Sequence, residues 1–342
     1  MRLKPSLFCL AALLTPPLAA QVPPFVDGPV FGGTKLFSEI MLPAGHASRL
    51  NSDKGFLAFG YAEGEQGADN FMSYLDDFSS NAPDKISAAI SKLADFPWGL
   101  RSRAYGLAFS GSPYTVTLSR EEMTSLWAKA QNAESVGFDT RRSVVDRLAI
   151  TYISTGSKYW GSTFRVERRS FGGVYNELSA FSPEANLSRA KGLLDFDETQ
   201  SRNITYAIDG FAGVEVADGL RLAIHVDRLA SRRLWDVHER PQYRAGAQLD
   251  LGVMLQLTVE SDLNQAMRMP FPVDQKTMAA SLKIKANALI TFAIGAERKT
   301  MDGLRTTKTG LNVWLKGKNF SLGAGFQFGQ DKTPWGATWN IQ

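Results

Sequence analysis

GLNVWLKGKNFSLGAGFQF, residues Gly310 to Phe328, is the stretch on which the fold turns. Leu311, Val313 and Leu315 alternate with Asn312, Trp314 and Lys316. After Gly317-Lys318-Asn319, Phe320, Leu322, Ala324, Phe326 and Phe328 alternate with Ser321, Gly323, Gly325 and Gln327. A period of two sends one set of side chains to each face of a strand. Here one face is apolar and aromatic and the other is glycine and amide. Any half-buried sheet alternates in this way, so the weight of the pattern lies in its recurrence along most of the chain.

The chain opens with an export signal. Arg2 and Lys4 form a charged start, Leu7 to Leu14 an apolar run, and Leu18-Ala19-Ala20 a small-residue cleavage site before Gln21. That run is too short to span a bilayer as a helix. Cys9, the sole cysteine, lies inside it, which leaves the exported chain without a disulfide, a thiolate or a cysteine metal site. Lys and Arg number 38 against 34 Asp and Glu; without Arg2 and Lys4 the balance is 36 to 34. So small an excess does not point to nucleic acid. Hydrophobic residues make up 44% of the chain, yet no apolar run after the signal is long enough for a membrane helix. Two classes remain: a soluble extracytoplasmic domain, or a β-barrel whose apolar residues are interleaved with polar ones.

Residues 21–55 are rich in Pro and Gly and read as an extended or plug-like segment, with a first strand at Phe56–Tyr61. Pro83, Ile86, Ile90 and Leu93 predict a helix; Ser119-x-x-Glu122 matches a capping box for a second, and Ser182-Pro183 opens a third. The rest reads as strands at Arg103–Ser110, Tyr114–Leu118, Asp146–Ser154, Trp160–Arg169, Asn203–Val216, Leu220–Leu229, Tyr243–Leu251, Val253–Glu260, Thr277–Lys285, Leu289–Arg298, Thr309–Lys316, Phe320–Gly329 and Trp335–Ile341. With the first strand that makes about fourteen, an even number as bacterial barrels require. Tight turns near Ala217–Gly219, Gly252, Ala286–Ala288 and Gly317–Asn319 alternate with longer links at 230–242, 261–276 and 299–308. A transmembrane meander predicts that order, with short turns on the periplasmic side; a Greek-key sandwich does not.

Along Leu220–Val226, Leu220, Leu222, Ile224 and Val226 share one face while Arg221, His225 and Asp227 take the other. Charges on an inner face sit in a wet lumen at little penalty; against lipid they are costly. Trp235, Tyr243, Phe271, Trp335 and Trp339 fall near strand ends, where an aromatic girdle would sit.

Catalytic chemistry finds little to work with. His46, His225 and His238 have no metal-ligand spacing, and His225 beside Asp227 reads as part of a polar lumen network. Asp195-Phe196-Asp197-Glu198 lacks the spacing and turn glycine of a calcium loop. No Gly-x-Ser-x-Gly elbow is present. No catalytic, cofactor or metal residue is assigned, and a non-enzyme is expected. Arg141-Arg142, Arg168-Arg169 and Arg232-Arg233 lie near strand ends, and strand order places Arg232-Arg233 outside, where lipid phosphates are within reach.

Pro241-Gln242-Tyr243-Arg244-Ala245-Gly246-Ala247, then Leu257 to Asp262-Leu263, then the glycine-punctuated hairpins to the C-terminus together resemble the TraF-type conjugal-transfer outer-membrane barrels, related in architecture to FadL and PorV barrels. Asp76-Asp77 and Leu194 to Asp197 resemble that family too, whereas its Asn-Pro-Ala box is absent and the chain ends Trp339-Asn-Ile-Gln342. The expectation is therefore an all-β chain: a signal at 1–20, an N-terminal segment at 21–98, and an antiparallel transmembrane barrel at 99–342 with short helices in loops. The resemblance implies an accessory of conjugal transfer or envelope transport in a Gram-negative outer membrane. Its partners would be lipid and lipopolysaccharide, and transfer machinery. A FadL-like channel for hydrophobic small molecules is the first alternative, with Gly323 and Gly325 read either as permitting an inward kink or as relieving crowding; a soluble β-sandwich is the second.

Overall fold

The computed structural model describes residues 55–64, part of 82–88 and most of 98–341, with 180–200 and several short links left aside. The ring opens with β1 (Gly55–Gly64) and β2 (Trp98–Gly111). Three long strands follow: β3 (Tyr114–Asn132), β4 (Ser135–Ser154) and β5 (Lys158–Ser179). Next come β6 (Ser201–Ala217) and β7 (Leu220–Asp227), then a small hairpin of β8 (Arg232–Leu234) and β9 (Val237–Glu239). β10 (Gln242–Leu251), β11 (Leu255–Asp262) and the three-residue β12 (Ala266–Arg268) lead to β13 (Phe271–Lys285). The chain finishes with β14 (Ile290–Met301), β15 (Leu304–Lys316), β16 (Phe320–Phe328) and β17 (Trp335–Ile341).

Fifteen of these strands form one sheet, in which β11 also pairs with β13, so that β12 is an appendage and fourteen strands close a ring. Every pairing in it is antiparallel, and β1 is held on one side by β2 and on the other by β17. The first strand therefore belongs to the wall, and closure leaves no edge exposed.

Burial is the reverse of a soluble protein's. On β6, Ile204, Tyr206 and Ile208 are exposed, while Thr205, Ala207 and Asp209 between them are buried. On β7, Leu222 and Ile224 are exposed and Ala223 and His225 buried. On β10 and β11, Tyr243, Leu257 and Val259 face out; Arg244, Gln248, Thr258 and Glu260 face in. On β15, Asn312 and Trp314 are inside and Leu315 outside. An apolar outer belt around a polar interior is the arrangement of a transmembrane barrel, and one closed sheet excludes the stacked sheets of a sandwich. Tyr152 lies 5.6 Å from both Tyr114 and Trp160, an outward aromatic group at the turn end. Trp235, which the sequence reading gave to a girdle, instead lies in the small hairpin.

Both ends of the described ring and the links 112–113, 218–219 and 252–254 share one rim, the turn end, while β3–β4 and β14–β15 are joined by two-residue links at the opposite rim. Leu220 follows Ala217 through Asp218-Gly219, and Gly219 takes a φ of 75°. Gly252, at φ 68°, starts the turn between β10 and β11 as expected.

Two expectations are corrected. Ser119 and Glu122 do not cap a helix, because they lie mid-strand in β3, where ladder pairing with β2 and β4 overrides the local capping signal. The link at 299–308 is no long loop, since β14 runs to Met301 and β15 starts at Leu304. The predicted helix near Pro83 agrees with helical Asp84, Lys85, Ser87 and Ala88. The helix at Ser182, the plug-like segment and the signal lie outside the described residues.

β3, β4 and β5 have 19, 20 and 22 residues, about twice the 9–11 that a tilted strand needs to cross a bilayer. They raise a tall wall at the loop end.

Candidate functional site: a pinned mouth above an apolar layer

The tall wall carries alternating charges on its inner face. Arg165, Glu167 and Arg169 follow one another at every second residue of β5, so all three point into the lumen. Glu167 is fully buried and lies among five guanidiniums: Arg147 (3.0 Å), Arg165 (3.6 Å), Arg169 (2.8 Å), Arg228 (3.9 Å) and Arg232 (3.0 Å). Arg165 also donates to Asp209 at 2.5 Å and Asp227 at 2.6 Å. His225 is buried on the same inner face as Asp227, as the sequence reading expected.

The small hairpin turns into this network. Arg232 donates to Glu239 at 2.8 Å and to Glu167 at 3.0 Å, which ties the hairpin to β5. Arg141 of β4 grips Asp236 at the hairpin tip with two bonds, at 2.9 and 2.6 Å. The bidentate geometry is the strong form of such a contact. Trp235 stacks on Phe171 of β5 with centroids 4.7 Å apart. Leu234 and Val237 are buried.

Among the described residues, Arg228 and Trp235 are the non-glycine residues with φ in the left-handed region, at 59° and 53°. Such a conformation costs about 1–2 kcal/mol and persists only where surroundings impose it. Here Asp209 accepts the Arg228 backbone N–H at 2.9 Å, and the Arg228 guanidinium lies 3.3 Å from Glu239. Burial pushes the Glu239 carboxyl up, but Arg228, Arg169 and Arg232 more than reverse this and hold it near 2, against an ordinary 4.5.

The reading of the paired arginines changes accordingly. Arg232 faces inward rather than toward lipid, because Glu239 and Glu167 supply carboxylates where a lipid phosphate would have been needed. Arg233 is exposed. Arg142 pairs with Glu122 at 3.5 Å, and Arg169 joins the inner network while Arg168 is exposed. Sequence reasoning missed the hairpin and treated 230–242 as plain loop. Its signal was the alternation of Arg232 and Leu234 against Val237 and Glu239 about Trp235-Asp236.

A second node lies three to five strands further round the wall, on β10, β11 and β13. Asp262, fully buried, accepts from Arg244 at 2.6 Å, from Gln242 at 2.9 Å and from the Thr277 backbone N–H at 2.8 Å. Gln242, Arg244 and Asp262, quoted above for the family resemblance, thus meet on adjacent strands.

Nearer the turn end, β4 to β7 carry an apolar patch on the lumen side. Ile153, Tyr159, Phe211 and Ala223 form a buried cluster. Phe211 is directly opposite Gly161, and Tyr159 is opposite Gly213. A Cβ on Gly161 would strike the Phe211 ring and the Tyr152 carbonyl; one on Gly213 would strike the Tyr159 ring. Each ring therefore lies flat over a glycine, a pairing only a residue without a side chain permits.

Of the two readings of Gly323 and Gly325, the inward kink is not formed. β16 pairs in unbroken register with β15 and with β17 through both glycines. Among the described residues no group of His, Cys, Asp and Glu is arranged to hold a metal ion. His238 is exposed on the hairpin; His46 and Asp195 to Glu198 lie outside the described residues.

No family model and no curated protein matches the chain. Solved structures similar to it include the CymD monoaromatic hydrocarbon channel, with a TM-score of 0.49 and 8% identity over 86% of this chain and 89% of that one. The Pseudomonas putida toluene transporter TodX is similar with a TM-score of 0.48 and 7% identity, over 92% and 94% of the two chains. A Rhodopseudomonas blastica porin variant gives 0.37 and 11%, over 84% and 99%. The barrel itself rests on strand pairing and on the exposed apolar belt.

Proposed function

We propose that this chain is an outer-membrane passage for small apolar molecules, with its turn end in the periplasm and its loop end outside. The observation that carries the reading is the inward apolar patch of Ile153, Tyr159, Phe211 and Ala223, in a lumen that elsewhere carries many buried polar and charged groups. A water-filled diffusion pore gains nothing from aromatic rings laid over glycines in its interior, whereas an apolar solute leaving water gains about 25 cal/mol per Å² of surface buried against them. The paired charges above the layer neutralise one another, so the mouth presents little net attraction to ions. The hydrocarbon channel and toluene transporter named above agree with this reading in kind.

The test is binding of toluene, as a probe, to purified protein in lipid nanodiscs. Saturable binding that is lost in Phe211→Asp supports the proposal; equal binding by both proteins, or large unselective ion conductance by the native chain, sinks it. An accessory role in conjugal transfer, implied by the TraF-type resemblance, has less support, because the inner layer gives it no explanation. Unchanged mating frequency after deletion of the gene would remove it.

A further inference from the structure

The sequence placed a phosphate-binding pair at Arg232-Arg233, and the structure turned Arg232 inward; the outer surface supplies a different set. Pairing register aligns Tyr105, Arg120, Asp146, Arg168 and Ile204 in one row across β2 to β6. The next row toward the loop end runs Arg103, Glu122, Val144, Ser170 and Arg202. All these positions share the outward parity of Phe109, Leu118, Leu148 and Phe164; Arg103, Tyr105, Arg168, Arg202 and Ile204 are exposed, whereas Glu122 and Val144 are buried. The row just below them is apolar: Leu107, Leu118, Leu148, Val166 and Tyr206. The upper edge of the lipid belt on this wall is therefore a double row bearing four arginines and two carboxylates.

The carboxylates are already engaged. Glu122 takes Arg103 at 2.7 Å and Arg120 at 2.8 Å, and Asp146 takes Arg120 at 3.4 Å. Arg168 and Arg202 are exposed, sit on neighbouring strands in adjacent rows, and have no ion-pair partner among the described residues. Two exposed guanidiniums at the junction of an apolar belt and the loop-end space stand where lipid headgroups lie.

We propose that Arg168 and Arg202, supported by Arg103 and Arg120, hold a phosphate of a glycolipid in the outer leaflet. The acyl chains would lie against Leu118, Leu148, Phe164 and Tyr206. The guanidinium fork matches phosphate geometry, and continuity with the belt selects a membrane lipid over a soluble anion. The proposal needs only the barrel and its orientation, so it stands or falls separately from the apolar-passage reading.

The test uses the full mature chain in nanodiscs. Native mass spectrometry would measure retention of bisphosphorylated lipid A, its phosphate-free form and inorganic phosphate. Retention of the bisphosphorylated lipid is expected to fall about fivefold for each guanidinium removed in Arg168→Gln and Arg202→Gln. Lys158→Gln, an exposed cation on the turn-end rim, is expected to leave it unchanged. Equal retention of the phosphate-free lipid by the native chain would overturn the proposal without reference to any variant. So would full retention by the double variant, or displacement of the lipid by millimolar inorganic phosphate.

Discussion

The two levels of the lumen are built from opposite materials. The mouth is held by arginines and carboxylates, as at Glu167 with its five guanidiniums; the layer beneath is held by Tyr159 and Phe211 lying over Gly213 and Gly161. Ionic networks give position and registry but contribute little net stability, since desolvation offsets much of their attraction. Close-packed rings contribute area and density instead. The hairpin is thus placed by charge, and the wall beneath it is braced by packing.

That contrast breaks most sharply at Glu167. In Glu167→Ala the surrounding guanidiniums lose their shared partner, and removing one side of a buried pair costs about 3–5 kcal/mol. Trypsin is then expected to cut at Arg232 or Arg233 in folded protein, while heat-modified gel migration of the barrel barely moves. Resistance to trypsin equal to the native chain's would show that the hairpin is not held by charge.

Phe211→Ala should do the converse, lowering barrel stability by about 3–5 kcal/mol in urea unfolding while leaving trypsin cleavage unchanged. Gly161→Ala attacks the same pairing from the other side, at about 1–3 kcal/mol, because the new methyl meets a carbonyl as well as the ring.

Acidity sharpens the comparison. The Glu239 carboxyl is depressed to about 2 from 4.5, so its contribution is fully present above about pH 4.5 and is lost as the pH falls toward 2. Hairpin release, followed by a fluorophore attached at exposed His238→Cys, is expected in that window. The apolar layer should show no transition there. The smallest effect is expected from Trp235→Ala, which removes stacking worth about 0.5–1.5 kcal/mol and should only modestly speed trypsin cleavage.

The wall was largely legible in the sequence because a membrane barrel exposes its apolar side and repeats every two residues. Leu222 and Ile224 against Ala223 and His225 reads the same in letters and in space. What stayed hidden lies beyond the belt. The upper halves of β3 and β4 carry charges on both faces, so Ser119 and Glu122 looked like a helix cap and Arg141 like a loop residue. The site suffered most, because its partners are remote: Arg141 and Asp236 are 95 residues apart and Arg169 and Glu239 are 70 apart. Local spacing shows that Arg165, Glu167 and Arg169 share a face, but not which hairpin will arrive to meet them.

The pairing of β1 with β17 has a consequence for the birth of the molecule. The seam joins Ala58 to Ile341 and Gly64 to Trp335, almost the two extremes of the described chain. The ring cannot shut until the last strand has been synthesised, so β1 must wait with one pairing edge open. Long-range pairing of this kind is slow and prone to aggregation. The polypeptide must therefore stay unclosed, with one edge unpaired, until its last strand arrives.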